Sequence, residues 1–334
     1  MRRPHESRGT RSRRSRSLFL ALSLSAGVLS AGVFSYGCGP GDKGPATAVR
    51  REAAPQWQDV FDGTPDVYAV VRPQAIKRDA VYGLLFKAVL QMTQARSEMR
   101  GVTTLEALEG CEEVVVGIKK DAQGEDAALV FRGVPASLDA AKMTDSTGHS
   151  VFRLVDPRAR VPEYEWIDRT HAETGSLFVL PDRTWVGTIG EARGRARQAF
   201  ASPFGRPSLK ADPEALATVR FDAPTFLRAP SRVALAKSPV VGPLTRKLRA
   251  ITLALMPGKG GVVATLQYED EDASAWAEMH GRRVLGELAA SRPALGWLKE
   301  ARVGHEGNAV VVKVAIPARL LEELPKASGG DLSF

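Results

Sequence analysis

The sequence predicts an α+β fold made of two repeated halves, each of antiparallel strands in hairpins with helices packed on one face. Three observations predict it. Short runs rich in Val, Ile and Leu recur along the chain, bounded by Gly, Pro and Asp turns. Between them lie stretches with apolar residues three and four apart, the spacing of a helix with one buried side. The order strand, helix, strand, turn, strand, helix occurs twice.

In the first half, residues 68–72 (YAVVR) read as a strand, and residues 81–99 as a helix with apolar positions at 81, 84, 85, 89 and 92. A hairpin follows, with strands at 113–119 and 127–132 around the turn DAQGED. Residues 135–143 read as a short helix. In the second half, 217–221 (ATVRF) is the opening strand and 240–248 a helix. The hairpin has strands 251–256 and 262–268 around PGKGG, and 274–288 is an amphipathic helix. Each half closes on a further hairpin, 176–180 with 184–189 and 301–305 with 309–316. If the halves share one plan, Val115 and Leu253 are expected at equivalent buried positions, because side chains alternate faces with period two.

The ends of the chain carry a different message. Residues 1–17 hold seven arginines against Glu6, so six of the eight net positive charges sit there. Residues 18–36 (LFLALSLSAGVLSAGVFSY) are uncharged, and Gly37-Cys38 follows. A basic start, an apolar middle and small residues before a break are the layout of an export signal. The segment resembles a bacterial lipoprotein signal, in which a small residue precedes the cysteine that receives the lipid. Gly37-Cys38 matches that core, while Ser35 and Tyr36 stand where Leu and a small residue are usual. The resemblance implies lipid attachment at Cys38 and a chain that looks like a bacterial lipoprotein. Two alternatives remain open: an uncleaved signal anchor, since 19 residues can just span a bilayer, and cleavage to a soluble secreted protein. The expected organisation is a signal peptide over 1–37, a Gly/Pro-rich flexible tether over 38–65, and halves over 66–205 and 206–334.

Composition narrows the function classes. From Cys38 onward the net charge is only +2, which lacks the basic footprint of a nucleic-acid binder. With two cysteines there is no disulfide framework, and Cys111 reads as a small buried hydrophobe. The MPGKGG stretch lies between strands and lacks the Ser or Thr of a phosphate loop, so it reads as a hairpin turn. The acidic run 269–272 has no bend glycine for calcium, and suits the N-terminus of the helix that follows. His149, His171, His280 and His305 fall at no zinc spacing. No metal and no cofactor is therefore expected.

One stretch could carry acid–base chemistry. Residues 156–173 interrupt the repeat as a loop and hold Glu163, Glu165, Asp168 and His171 near Tyr164 and Trp166. The reading that results is a membrane-tethered, non-enzymatic binding or interaction module of the cell envelope, held to the membrane through its N-terminal lipid and facing an envelope protein. A periplasmic carrier of an apolar, lipid-like ligand is the second reading, and a hydrolase-like enzyme using 156–173 the third. A carrier needs a large apolar cavity. An interaction module needs a filled core and an exposed apolar patch.

Overall fold

The computed structural model describes residues 57–61, 65–84, 86–87, 109–120, 125–144, 148–166, 175–201, 211–228 and 237–321. Its twelve strands form a single sheet in which every pairing is antiparallel. In chain order they are β1 (Val67–Val71), β2 (Glu113–Lys120), β3 (Glu125–Arg132), β4 (Phe152–Leu154), β5 (Glu163–Trp166), β6 (Gly175–Val179), β7 (Trp185–Ile189), β8 (Ala217–Asp222), β9 (Leu248–Met256), β10 (Gly261–Tyr268), β11 (Arg302–Glu306) and β12 (Ala309–Val314). Across the sheet the order is β11-β12-β10-β9-β8-β1-β2-β3-β7-β6-β5-β4. The α-helices labelled among the described residues are α1 (Pro73–Arg78), α2 (Ala192–Ala201), α3 (Ala223–Arg228) and α4 (Glu271–Ser291). Sheet and helices together make the α+β class read from the sequence.

The strands form where the sequence offers branched apolar side chains, and the helices start where it offers caps. Asp270 caps α4, its carboxylate accepting from the Ala273 N–H at 2.8 Å. Glu271 and Asp272 then sit in the first turn, where acids meet the positive end of the helix dipole. The PGKGG segment turns the β9–β10 hairpin, with Gly261 at φ 67°. A side chain at Gly261 would run into the Val314 carbonyl, so only glycine fits both the angle and the space.

The ladder registers fix two faces. One cross-strand row runs Leu177, Gly187, Leu129, Val116, Ala69, Val219, Leu253, Ala264, Val312, Val303. The neighbouring row, on the opposite face, runs Glu163, Phe178, Val186, Val130, Val115, Val70, Thr218, Ala254, Val263. Helix α2 packs on the second face, its Ala192, Ala196, Ala199 and Phe200 meeting Val130, Val186 and Phe178. Helix α4 packs on the first face, its Ala277 meeting Val310 and the half-buried Leu266 and Val312. Helices therefore cover both faces, which corrects the expectation that they pack on one. The reason lies in β2 and β3, whose apolar residues are buried on both sides and so hide the period-two alternation. The same ambiguity misplaced one equivalence. Val115 and Leu253 lie on opposite faces, and the residue sharing the Leu253 row is Val116.

Other departures are local. Of the helix expected over 81–99, Gly83, Leu84, Phe86 and Lys87 are helical, and the residues beyond 87 lie outside the described set. In place of helices at 135–143 and 240–248 there are 3-10 turns at Ala140–Lys142 and Gly242–Thr245. Cys111 is fully buried, and burial pushes its thiol up to about 12, so it stays a protonated packing group.

Candidate functional site

The stretch expected as a loop over 156–173 contains a strand. Glu163–Trp166 is β5, paired with β6 on one side and β4 on the other. Its sequence EYEW alternates, so Glu163 and Glu165 point to the face that carries α2, and Tyr164 and Trp166 to the other. Asp168 and His171 lie outside the described residues, as does Cys38. The structure thus brings Glu163 and Glu165 together, but as part of an ion-pair cluster.

Glu163 is only 5% exposed. Its carboxylate accepts from Ser176 Oγ at 2.8 Å, Arg193 Nε at 2.9 Å, and Arg197 Nε and Nη2 at 2.7 and 2.9 Å. Glu165 accepts from Arg153 and, at 3.4 Å, from Arg193. Burial alone would raise the Glu163 carboxyl, but the bonds from Arg197, Ser176 and Arg193 outweigh it and hold the group below the usual carboxylate range. Such a carboxylate stays ionised and saturated with donors. A general acid needs the opposite, a raised pKa and a free face. The cluster instead pins α2 to the outer strands. Arg195 adds a third tie, bonding Asp126 at 2.9 Å, while Asp126 also accepts the Glu191 N–H at 2.7 Å.

The other face of the same strands holds an apolar pocket of about 120 Å³. Among the described residues it is lined by four aromatic side chains from four strands, Phe131, Phe152, Trp166 and Trp185, with Leu129, Leu177, Ile189 and Met143 between them. Gly175 and Gly187 contribute only backbone, and a Cβ at Gly175 would crowd the Trp166 ring at 3.3 Å. Trp185 and Leu177 form a buried floor, whereas Phe131, Phe152 and Trp166 are half-buried walls. Beyond the wall, Leu154 and Val155 are exposed at the sheet edge. Sequence reasoning missed this pocket. Its residues are spread from 129 to 189 and meet only through the cross-strand registers of five strands.

No family model matches the chain, and no curated protein matches it. Among solved structures it is similar to two crystal forms of TP0453. Form I aligns with a TM-score of 0.50 at 12% identity, over 83% of this chain and 98% of that one. Form III aligns with a TM-score of 0.48 at 13% identity, over 80% and 97%. At such identity the likeness to form I is one of fold alone.

Proposed function

We propose that this chain is a membrane-tethered interaction module of the cell envelope, and that its aromatic pocket receives one apolar side chain of an envelope partner. The observation that carries this reading is the size and lining of the pocket. Pockets that enclose whole small molecules run to about 300–1,000 Å³. An apolar cavity of about 150 Å³ takes a single benzene ring. At about 120 Å³ the pocket matches one ring or one branched aliphatic group, not a lipid chain. The exposed Leu154 and Val155 beside it extend the apolar surface outward, as a contact patch requires. That favours the interaction reading over the carrier. The saturated Glu163 cluster supports a structural rather than catalytic role for that part of 156–173.

Toluene is the probe that tests the pocket. At millimolar concentration it should shift the indole N–H signals of Trp166 and Trp185 and leave that of Trp276 in place. Oleate should not bind stoichiometrically. One-to-one oleate binding that quenches Trp166 would return the carrier reading, and toluene shifts absent from both indoles would remove the pocket.

The duplicated plan belongs to the same proposal. Counting outward from the β1–β8 pair, one side runs β1-β2-β3-β7-β6 and the other β8-β9-β10-β12-β11. Both sides place a six-residue helix directly after the first strand, α1 and α3. This supports halves over 66–205 and 206–334 that descend from one unit and share one sheet, with 38–65 as the tether and 1–37 as the export signal. Lipid attachment at Cys38 has its own test. Cys38→Ser should move the protein from the membrane to the soluble fraction, whereas a variant that stays membrane-bound at full length would point to an uncleaved signal anchor.

A further inference from the structure

The sheet ends on β11 at one side and on β4 at the other, and the two edges differ. On β11, the Gly307-Asn308 turn makes Glu306 and Ala309 a hydrogen-bonded pair. By alternation, the backbone groups of Val303 and His305 point outward. Helix α4 closes that edge. Its Arg282 donates to the Val303 carbonyl at 2.6 Å, and its Glu278 carboxylate meets Nδ1 of His305 at 2.5 Å. Arg302 and Glu306 add exposed charges along the strand, a usual protection of a sheet edge. On β4, the Val155 N–H donates to the Glu163 carbonyl at 2.8 Å, which sets the alternation there. Residues 153 and 155 bond β5, while Phe152 and Leu154 turn their N–H and C=O groups away from it. No strand lies beyond β4, and Arg153, Leu154 and Val155 are exposed. Phe152 is also a wall of the aromatic pocket.

Resting on the pocket reading above, we infer that β4 is the docking edge for an extended segment of the partner, which adds an antiparallel strand reading apolar, acidic, apolar. The backbone sets the first part, because a row of outward N–H and C=O groups is a template for another strand. Phe152 and Leu154 lie on the face that holds the pocket, so the partner residues opposite them lie on that face too. The one opposite Phe152 leans over that ring toward the cavity, within reach for a long side chain. The middle partner residue stands opposite Arg153 on the other face, at a position between hydrogen-bonded pairs, where side chains come closest. The Arg153 side chain is 70% exposed beside Glu165, and an acid opposite it completes the charge pairing. A second copy of this chain fits badly. Two-fold pairing through both outward residues sets Phe152 against Leu154 and Arg153 against Arg153, and like charges directly opposite destabilise a sheet. In strand addition, main-chain bonds give affinity and pockets for alternate side chains give specificity. This edge offers both, while the short β4 keeps the main-chain part small.

The test uses the whole purified chain and, as probe, a capped heptapeptide Thr-Lys-Val-Glu-Leu-Thr-Lys. The peptide should slow hydrogen exchange at the Phe152 and Leu154 amides and shift the Trp166 indole signal. A version N-methylated on its Val and Leu nitrogens should bind at least tenfold more weakly, and a version with Lys in place of Glu at least threefold more weakly. Leu154→Pro should abolish binding, since its N–H points away from β5 and proline there removes no ladder bond. The N-methylated peptide keeps the test valid if that variant fails to fold. The inference is overturned if the peptide does not bind at about 1 mM, binds equally well when N-methylated, or protects Val303 and His305 of β11 instead. Protection of the β4 amides that rises with chain concentration, without peptide, would replace the partner by a second copy. Toluene separates these failures from that of the parent reading. If toluene moves the Trp166 and Trp185 indoles and the peptide protects nothing, the strand falls and the pocket stands. If the peptide protects β4 and toluene moves neither indole, the pocket falls and the edge stands.

Discussion

Glu163→Ala is expected to destabilise the protein by about 3 kcal/mol in a denaturant titration. Removing one partner of a buried ion pair leaves an uncompensated charge and costs about 3–5 kcal/mol. Arg193, whose side chain is largely buried, keeps only its long contacts to Glu165 at 3.4 Å, while Arg197 is half exposed and can turn to water, which places the expectation at the low end. The effect depends on pH in a definite direction. The folded-state pKa of Glu163 is depressed, so the stability it contributes is present above the ordinary glutamate value of about 4.3 and is lost as pH falls through the depressed one. The acid limb of the stability curve should be flatter in Glu163→Gln than in the parent. An acid limb of unchanged slope in that variant would show that the cluster does not hold α2 through this carboxylate.

Phe178→Ala is expected to cost about 3–5 kcal/mol, the range for deleting a buried aromatic ring. Phe178 is 2% exposed, and its ring meets Phe200 of α2 edge-on at 5.3 Å. It lies directly opposite Glu163 in the ladder, so polar and apolar ties to α2 stand side by side. The two losses should couple, because neighbouring residues sharing one helix contact are not independent. Hydrogen exchange in α2 should rise toward that of the exposed loops, with β9–β10 little changed. Phe152→Ala is the contrast, since that side chain is a half-buried pocket wall. It should cost less than half as much while enlarging the pocket.

Much of the sheet was legible from local chemistry. The hairpins β2–β3 and β9–β10 announce themselves as branched apolar runs around polar or glycine turns, and α4 as an amphipathic stretch after an acidic cap. What stayed hidden had physical causes. Helices α1 and α3 are six residues long, too short for a helical period to show. Strand β5 reads as part of an acidic loop in the sequence because Glu163 and Glu165 occupy a face that is buried only by virtue of the arginines of α2, far along the chain. Val114, Val115 and Val116 are all buried, so no alternation betrays which of them faces α2. The sequence therefore pairs Val115 with Leu253, whereas in the sheet Val116 shares the Leu253 row. The candidate site was half visible. Glu163 and Glu165 do meet, yet the pocket on the reverse of the same strand drew no signal, because Phe131, Phe152, Trp166 and Trp185 are neighbours only in the folded sheet.

Whether the pocket serves a partner's side chain or a lipid is decided most directly by native mass spectrometry of the full chain extracted from membranes. An interaction module should give a mass equal to the polypeptide with its covalent anchor, and added oleate should leave no one-to-one complex. A stoichiometric, non-covalently held lipid that is lost in Trp166→Arg would contradict the account and make the protein a carrier.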